Sequence, residues 1–334
     1  MNQTLTYAGN PGKLLRLPVL VFLLIASLLS FVQVKAENPI LLLERFVKGG
    51  GWFEVIIIGL YGGLVAYKMQ DPKQVQAWRK YTWIAFSVLF FSQLVLGLSG
   101  FDKFLMTGKL HLPVPAMILA GPLYRGHASV MSILFVSTVI LSGPAWCSHL
   151  CYFGAIDGLA SGGKTIRGPI KYKWALKSTV ILLVVLGAIM LRIFKLPVLS
   201  ATIIAGGIGI TGLGIILLVS RRKGKMVHCA TYCPIGTIVN LTRFVNPFRM
   251  YIDDASCTDC MACTPTCTYD ALNKKHIMNR KPGLTCTLCG DCISSCHAGS
   301  IHYKFLRLSP VASRNLYLFI SIALHASTMA LARI

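Results

Sequence analysis

Acidic side chains are scarce in this chain: eleven Asp and Glu stand against 33 Lys and Arg across 334 residues, for a net charge of +22. Charged residues of both signs make up only 13%, about half the share of a soluble globular domain. Mean hydropathy is +0.65. The deficit excludes an ordinary soluble protein and places most of the chain in lipid. No Ser-His-Asp set is present, and no P-loop or G-x-G-x-x-G follows a strand, so hydrolase and nucleotide chemistry have no support. Aromatic residues do not interleave with basic ones, so the positive charge is no nucleic-acid footprint and no nucleic-acid partner is expected. A secreted disulfide scaffold is excluded too, because the motifs below use all twelve cysteines and suit a reducing compartment.

Cysteine is what the chain does have. Residues 257–296 carry Cys257, Cys260, Cys263 and Cys267, then Cys286, Cys289, Cys292 and Cys296. Each run is C-x2-C-x2-C-x3-C, the spacing of a bacterial two-cluster ferredoxin, in which the fourth cysteine of each run ligates the other cube. Cluster one should take Cys257, Cys260, Cys263 and Cys296. Cluster two should take Cys286, Cys289, Cys292 and Cys267. Structural zinc also uses C-x2-C pairs, but two complete repeats fit [4Fe–4S] far better. Thr268 and His297 stand where proline usually follows the fourth cysteine, which returns a backbone N–H near each sulfur.

Long apolar runs account for the rest. Residues 13–36 have a basic start, an apolar core and small residues at the end, as a cleaved leader would; they read as an uncleaved first span. Further spans are expected over 52–69, 81–100, 126–146, 174–194 and 197–220, with a seventh apolar helix over 314–334. Glu54, near the start of the second span, is expected at headgroup level. Residues 38–47 are too short to cross and lie at the surface. The apolar run within 101–125 is also too short, and reads as an interfacial or re-entrant piece. The fold class is therefore a polytopic α-helical membrane protein of about seven helices with a small α+β two-cluster ferredoxin domain. The domains fall at 1–247 (transmembrane), 248–306 (ferredoxin) and 307–334 (C-terminal transmembrane helix).

Basic loops set the orientation. With the N-terminus inside, the inner segments hold fifteen Lys and Arg, among them Lys68, Lys73, Arg79, Lys80, Lys164, Arg167, Lys173, Lys177 and Arg221, against eight on the outer segments, including Lys103 and Lys109. The ferredoxin and every cysteine then face the cytoplasm of a bacterial inner membrane.

A second constellation sits at two inner helix ends: Cys147-Ser-His-Leu-Cys151 and Cys229-Ala-Thr-Tyr-Cys233-Pro234. At i, i+4 two sulfurs share a helix face, so two pincers could hold a third iron–sulfur cluster or a soft ion such as Cu(I). Four reduced thiols are the alternative.

Paired C-x3-C motifs at span ends, with a C-terminal two-cluster ferredoxin, resemble the membrane-bound polyferredoxins, the family of NapH, NosR and CcoG. The likeness runs over roughly 80–305. It includes Pro234 of the family's pattern but has Tyr152 at the matching place after Cys151. The resemblance implies electron transfer between a cytoplasmic or quinone-pool donor and a membrane or periplasmic oxidoreductase carrying flavin or haem. Quinol oxidation, and copper reduction or delivery through the C-x3-C pairs, are the alternatives. The basic inner loops favour an acidic soluble donor such as ferredoxin or flavodoxin. His127 and His325, at span ends, are candidate haem ligands or proton acceptors. His149 and His228 flank the C-x3-C cysteines as supporting or replacement ligands, while Asp157 and Asp291 read as solvated loop carboxylates.

Overall fold

A computed structural model describes residues 11–104, 113–128, 130–162 and 168–331. Lys109, Lys164 and Arg167, counted above among the loop charges, lie outside the described residues, as do residues 1–10 and 332–334. The chain packs as two compact units, Met1–His111 with His302–Ile334, and Leu112–Ile301.

In the first unit, helices α1 (Pro11–Lys35), α3 (Gly51–Gln70) and the C-terminal helix (Pro310–Leu331) pack together, with α4 (Val75–Leu98) beside α3. Their shared core holds Val21, Ile25, Leu29, Val65, Ile322 and Ala326. Small residues permit the close approach of α1 and α3. A Cβ on Gly62 would meet Ile25 at 2.2 Å, and one on Gly59 would meet the Phe22 ring at 2.9 Å, the small-residue packing typical of helices in lipid. Arg314 is buried and donates to the Gln70 and Met69 carbonyls at 2.7 and 2.8 Å. A cation thus satisfies the last carbonyls of α3, at the negative end of its dipole. Residues 38–47 hold only the five-residue helix α2 (Leu42–Phe46). Glu54 accepts from the Leu43 N–H at 2.9 Å, fastening this segment to α3.

The second unit opens with α5 (Ala116–Arg125), whose ten residues rise about 15 Å, half the hydrocarbon thickness. Helices α6 (Val130–Ser142), α7 (Tyr152–Ser161), α8 (Lys173–Ile193) and α9 (Val198–Gly214) follow. A π-helical stretch, Ile215–Ser220, carries α9 into the short α10 (Arg221–Lys223), which Gly224 ends at φ 63°. Helix α11 (Pro234–Thr242) leads to strand β1 (Phe248–Ile252) and the cysteine-rich loops, which hold the short helices α12 (Lys274–Met278) and α13 (Asp291–Ser294). Strand β2 (Ile301–Phe305) carries the chain back to the first unit. The letters of a P-loop do occur at Gly158–Thr165, but Gly158–Ser161 ends a helix rather than following a strand.

Six helices among the described residues are long and apolar enough to cross a membrane: Leu14–Lys35, Gly51–Gln70, Val75–Leu98, Ser132–Leu150, Lys173–Ile193 and Val198–Lys223. The expected seventh apolar helix is present as the 22-residue Pro310–Leu331. It is the more polar one, burying Ser313, Arg314, Ser321, His325 and Thr328. The polytopic helical class with a ferredoxin-like domain stands.

Candidate iron–sulfur centres

The eight ferredoxin cysteines fall into two cavities. One is lined by Cys257, Cys260, Cys263 and Cys296, and the other by Cys267, Cys286, Cys289 and Cys292. The two halves repeat each other locally. The Cys267 sulfur accepts from the Ala271 N–H, and the Cys296 sulfur from the Ser300 N–H, both at 3.3 Å. Backbone donors at sulfur favour the thiolate and tune whatever metal it holds. The first cavity is the wetter. Cys260 is exposed, and the Ala262 N–H and Thr258 hydroxyl lower its pKa. In the second cavity burial pushes Cys267 up to about 12 and Cys292 well above the usual thiol value. Such thiols lose their protons only when a metal takes them.

The C-x3-C pairs form one cluster of side chains. Cys147, Cys151 and Cys233 are buried and Cys229 is half-buried. Each interacts electrostatically with others of the four: Cys147 with Cys151 and Cys233, and Cys229 with all three. Burial pushes Cys151 up to about 12 and also raises Cys229 and Cys233.

The local geometry is not the regular helix that the i, i+4 spacing suggests. Trp146–Leu150 and His228–Tyr232 are π-helical turns. The Cys151 N–H reaches back to the Trp146 carbonyl at 3.0 Å, and the Cys233 N–H to the His228 carbonyl at 2.9 Å. Cys151 and Cys233 are then extended, with ψ 117° at both, and stand at the N-termini of α7 and α11. The Gly236 N–H lies 3.4 Å from the Cys233 sulfur, and the Gly154 and Phe153 N–H groups serve Cys151. Helix N-termini favour thiolate there. Pro234 suits the first turn of α11 because its missing N–H is one the helix does not use.

Two side chains that sequence reading assigned elsewhere join this cluster. Asp157 is not a solvated loop carboxylate: it is fully buried on α7, and its Oδ2 accepts from the Cys229 N–H at 3.0 Å. Burial raises its pKa to about 6 against the Ser220 and Cys229 donors. Lys177 belongs to α8 rather than to a basic linker. It is fully buried, and its Nζ donates to the Cys229 carbonyl at 3.3 Å. Asp291 is also buried, at the start of α13. The i, i+3, i+4 pattern around Lys177 offered a faint signal, since Lys173, Trp174 and Lys177 continue directly into an apolar helix.

The histidines are placed as follows. His228 is buried between the Phe153 and Tyr232 rings, 5.6 and 5.5 Å between centroids, and burial lowers its pKa to about 4. His149 Nδ1 lies 2.9 Å from the Ser148 hydroxyl. His325 faces the Tyr61 hydroxyl at 2.9 Å, and His127 is exposed.

Direct hydrogen bonds join the C-x3-C cluster to the second ferredoxin cavity. Tyr269, two residues after Cys267, donates to the Cys147 carbonyl at 3.1 Å. Ser148 donates to the carbonyl of Thr287, next to Cys286, also at 3.1 Å. Thr268, in the place of the usual proline, accepts at its carbonyl from the Met226 N–H at 3.0 Å.

Among the described residues no three His, Cys, Asp or Glu side chains converge tightly enough to hold a single metal ion. Each of the three cysteine sets offers four thiolate donors, the ligand chemistry of iron–sulfur clusters.

The fold and these sites define a multi-helix membrane protein with cysteine sets suited to iron–sulfur clusters. A family model described as "4Fe-4S binding domain" matches residues 125–170 and 205–248, one C-x3-C pair in each segment. The chain is 25% identical over 228 residues to the putative electron transport protein YccM of Escherichia coli, covering 60% of this chain and 62% of that protein. It is 22% identical over 183 residues to the uncharacterized protein MJ0749 of Methanocaldococcus jannaschii, covering 52% and 70%. The chain thus spans about three-fifths of the length of the Escherichia coli relative. No solved structure matches. The chain is thus similar to membrane-associated 4Fe–4S proteins of the polyferredoxin kind.

Proposed function

We propose that this protein is a membrane-bound electron carrier in which three [4Fe–4S] clusters form a relay. Cluster one would be held by Cys257, Cys260, Cys263 and Cys296, cluster two by Cys267, Cys286, Cys289 and Cys292, and the third by Cys147, Cys151, Cys229 and Cys233. The cubes supply the redox chemistry when bound, and the chain places them and tunes their potentials. The observation that carries the reading is the direct bonding of Tyr269 to Cys147 and of Ser148 to Thr287. These bonds join residues within two positions of cluster two's cysteines to the C-x3-C turn. The rising burial from Cys260 inward gives the relay a direction in space. Cluster one is the face a soluble partner could reach, and the third site lies at helix ends. An acidic ferredoxin or flavodoxin, or a quinone, fits as donor. A flavin or haem subunit in the membrane fits as acceptor, and the inner membrane, with the ferredoxin on its cytoplasmic side, as location.

Anaerobic reductive titration of the purified chain tests this. Three electrons per chain are expected in the wild type, and two in the Cys147→Ser, Cys229→Ser double variant with its ferredoxin signals intact. Two electrons in both would remove the third cluster from the reading.

A further inference from the structure

Lys177 is a basic side chain carried on a helix long and apolar enough to cross a membrane, and it is buried completely. Burying an ammonium is costly unless something of opposite sign or strong hydrogen-bonding capacity meets it. Among the described residues it forms no salt bridge with a carboxylate. Lys173, one turn earlier, is committed to Asp270 at 3.1 Å. What faces Lys177 instead is the four-cysteine site. Its Nζ bonds the Cys229 carbonyl and lies in electrostatic range of Cys233, Cys147 and Cys229. Gly236 leaves room for this approach, since a Cβ there would stand 3.7 Å from the same Nζ. Asp157 faces Cys229 and Cys151 with the opposite sign.

We infer that Lys177 is the residue that sets the reduction potential of the four-cysteine site, raising it so that electrons from cluster two collect there. This rests on the reading that Cys147, Cys151, Cys229 and Cys233 hold a cluster. The step is a one-electron transfer: cluster two loses one electron and the third cluster gains it, so the negative charge of the third site grows by one. A fixed cation beside that site, in a low-dielectric surrounding, favours the more negative state. With Lys177 neutralised, Asp157 is the charged side chain among the described residues that still acts on Cys151, Cys229 and Cys233, and it opposes reduction. The buried ammonium is what offsets it.

Redox titration of the full chain in detergent, followed by electron paramagnetic resonance, tests the inference, with Lys177→Met and Lys177→Arg beside the wild type. In Lys177→Met the third cluster should become at least tenfold harder to reduce, a shift of about 59 mV to lower potential for a one-electron couple. The two ferredoxin clusters should not move, and Lys177→Arg should stay near the wild type. A third-cluster potential unchanged in Lys177→Met overturns the inference and leaves the relay standing. Loss of the cluster from Lys177→Met but not from Lys177→Arg supports a requirement for the charge. Loss from both overturns it in favour of a packing role. A wild type with only the two ferredoxin signals overturns both the relay and the inference.

Discussion

The Asp270 carboxylate holds together parts of the chain far apart in sequence. It takes the ammoniums of Lys225 and Lys173 and the Ile170 N–H, and it is almost completely buried. Burial alone would raise its pKa, but the two lysines outweigh that and hold it below the ordinary carboxylate range. A depressed folded value stabilises the fold above the unfolded value near 4, and the stabilisation is lost as pH falls through the folded one. Thermal unfolding in detergent should therefore lose stability below about pH 4. Asp270→Ala should be less stable at pH 7 by on the order of 3 kcal/mol, because it leaves the buried Lys225 ammonium without its carboxylate and Lys173 with only the backbone carbonyl at 270. At this scale the sequence was legible where chemistry is written in spacing. The intervals suggest ligand sets for the cysteines, and two cavities bring the ferredoxin eight together four by four. Asp157, Lys177 and Asp270 were illegible for a physical reason. A lone charge near a helix end looks solvated until the distant residue that faces it is known.

Among the elements, the paired π-turns matter most for the site. Each ends on an extended cysteine that opens a new helix, so one sulfur of each pair lies in the turn and the other at a helix N-terminus. The interval C-x3-C reads as one turn of regular helix, and nothing in the letters marks the extra residue of a π-turn. The spans were legible because lipid demands long apolar runs, and their bounds moved by no more than six residues. Gly236 gives the element its test. A Cβ there would press on the Cys229 carbonyl at 2.8 Å, and a backbone atom cannot step aside as a flexible side chain can. Gly236→Ala should lower anaerobic iron content from about twelve to about eight per chain, the number two cubes hold. Unchanged iron would show that the turn tolerates the methyl group.

For the whole molecule the question is how electrons leave. Under the orientation drawn from the basic loops, every cysteine lies toward the cytoplasmic side, and about 30 Å of hydrocarbon separates it from an outer acceptor. A fluorescent-protein fusion at residue 306 should be bright, as expected of a cytoplasmic position, and an alkaline phosphatase fusion there inactive. In quinone-free liposomes the pure chain should accept electrons from a soluble donor yet fail to reduce an impermeant acceptor on the far side. Adding a quinone, or a membrane partner carrying flavin or haem, should restore the transfer. Brisk transmembrane reduction by the chain alone would mean that a further cofactor crosses the bilayer.

The two C-x3-C turns stand at opposite ends of a long stretch of chain, from Cys151 through α8 and α9 to Cys229. A cube gripping both would act as a covalent staple, closing that stretch into a loop much as a disulfide does and withdrawing conformational freedom from the unfolded chain. Oxygen that reached and dismantled this buried cluster would then do more than interrupt current: it would cut the staple. Limited proteolysis should find the chain at Lys171, exposed just before α8, resistant in anaerobically prepared protein and cleavable after air exposure. Inactivation and turnover of the damaged protein would thereby be one event.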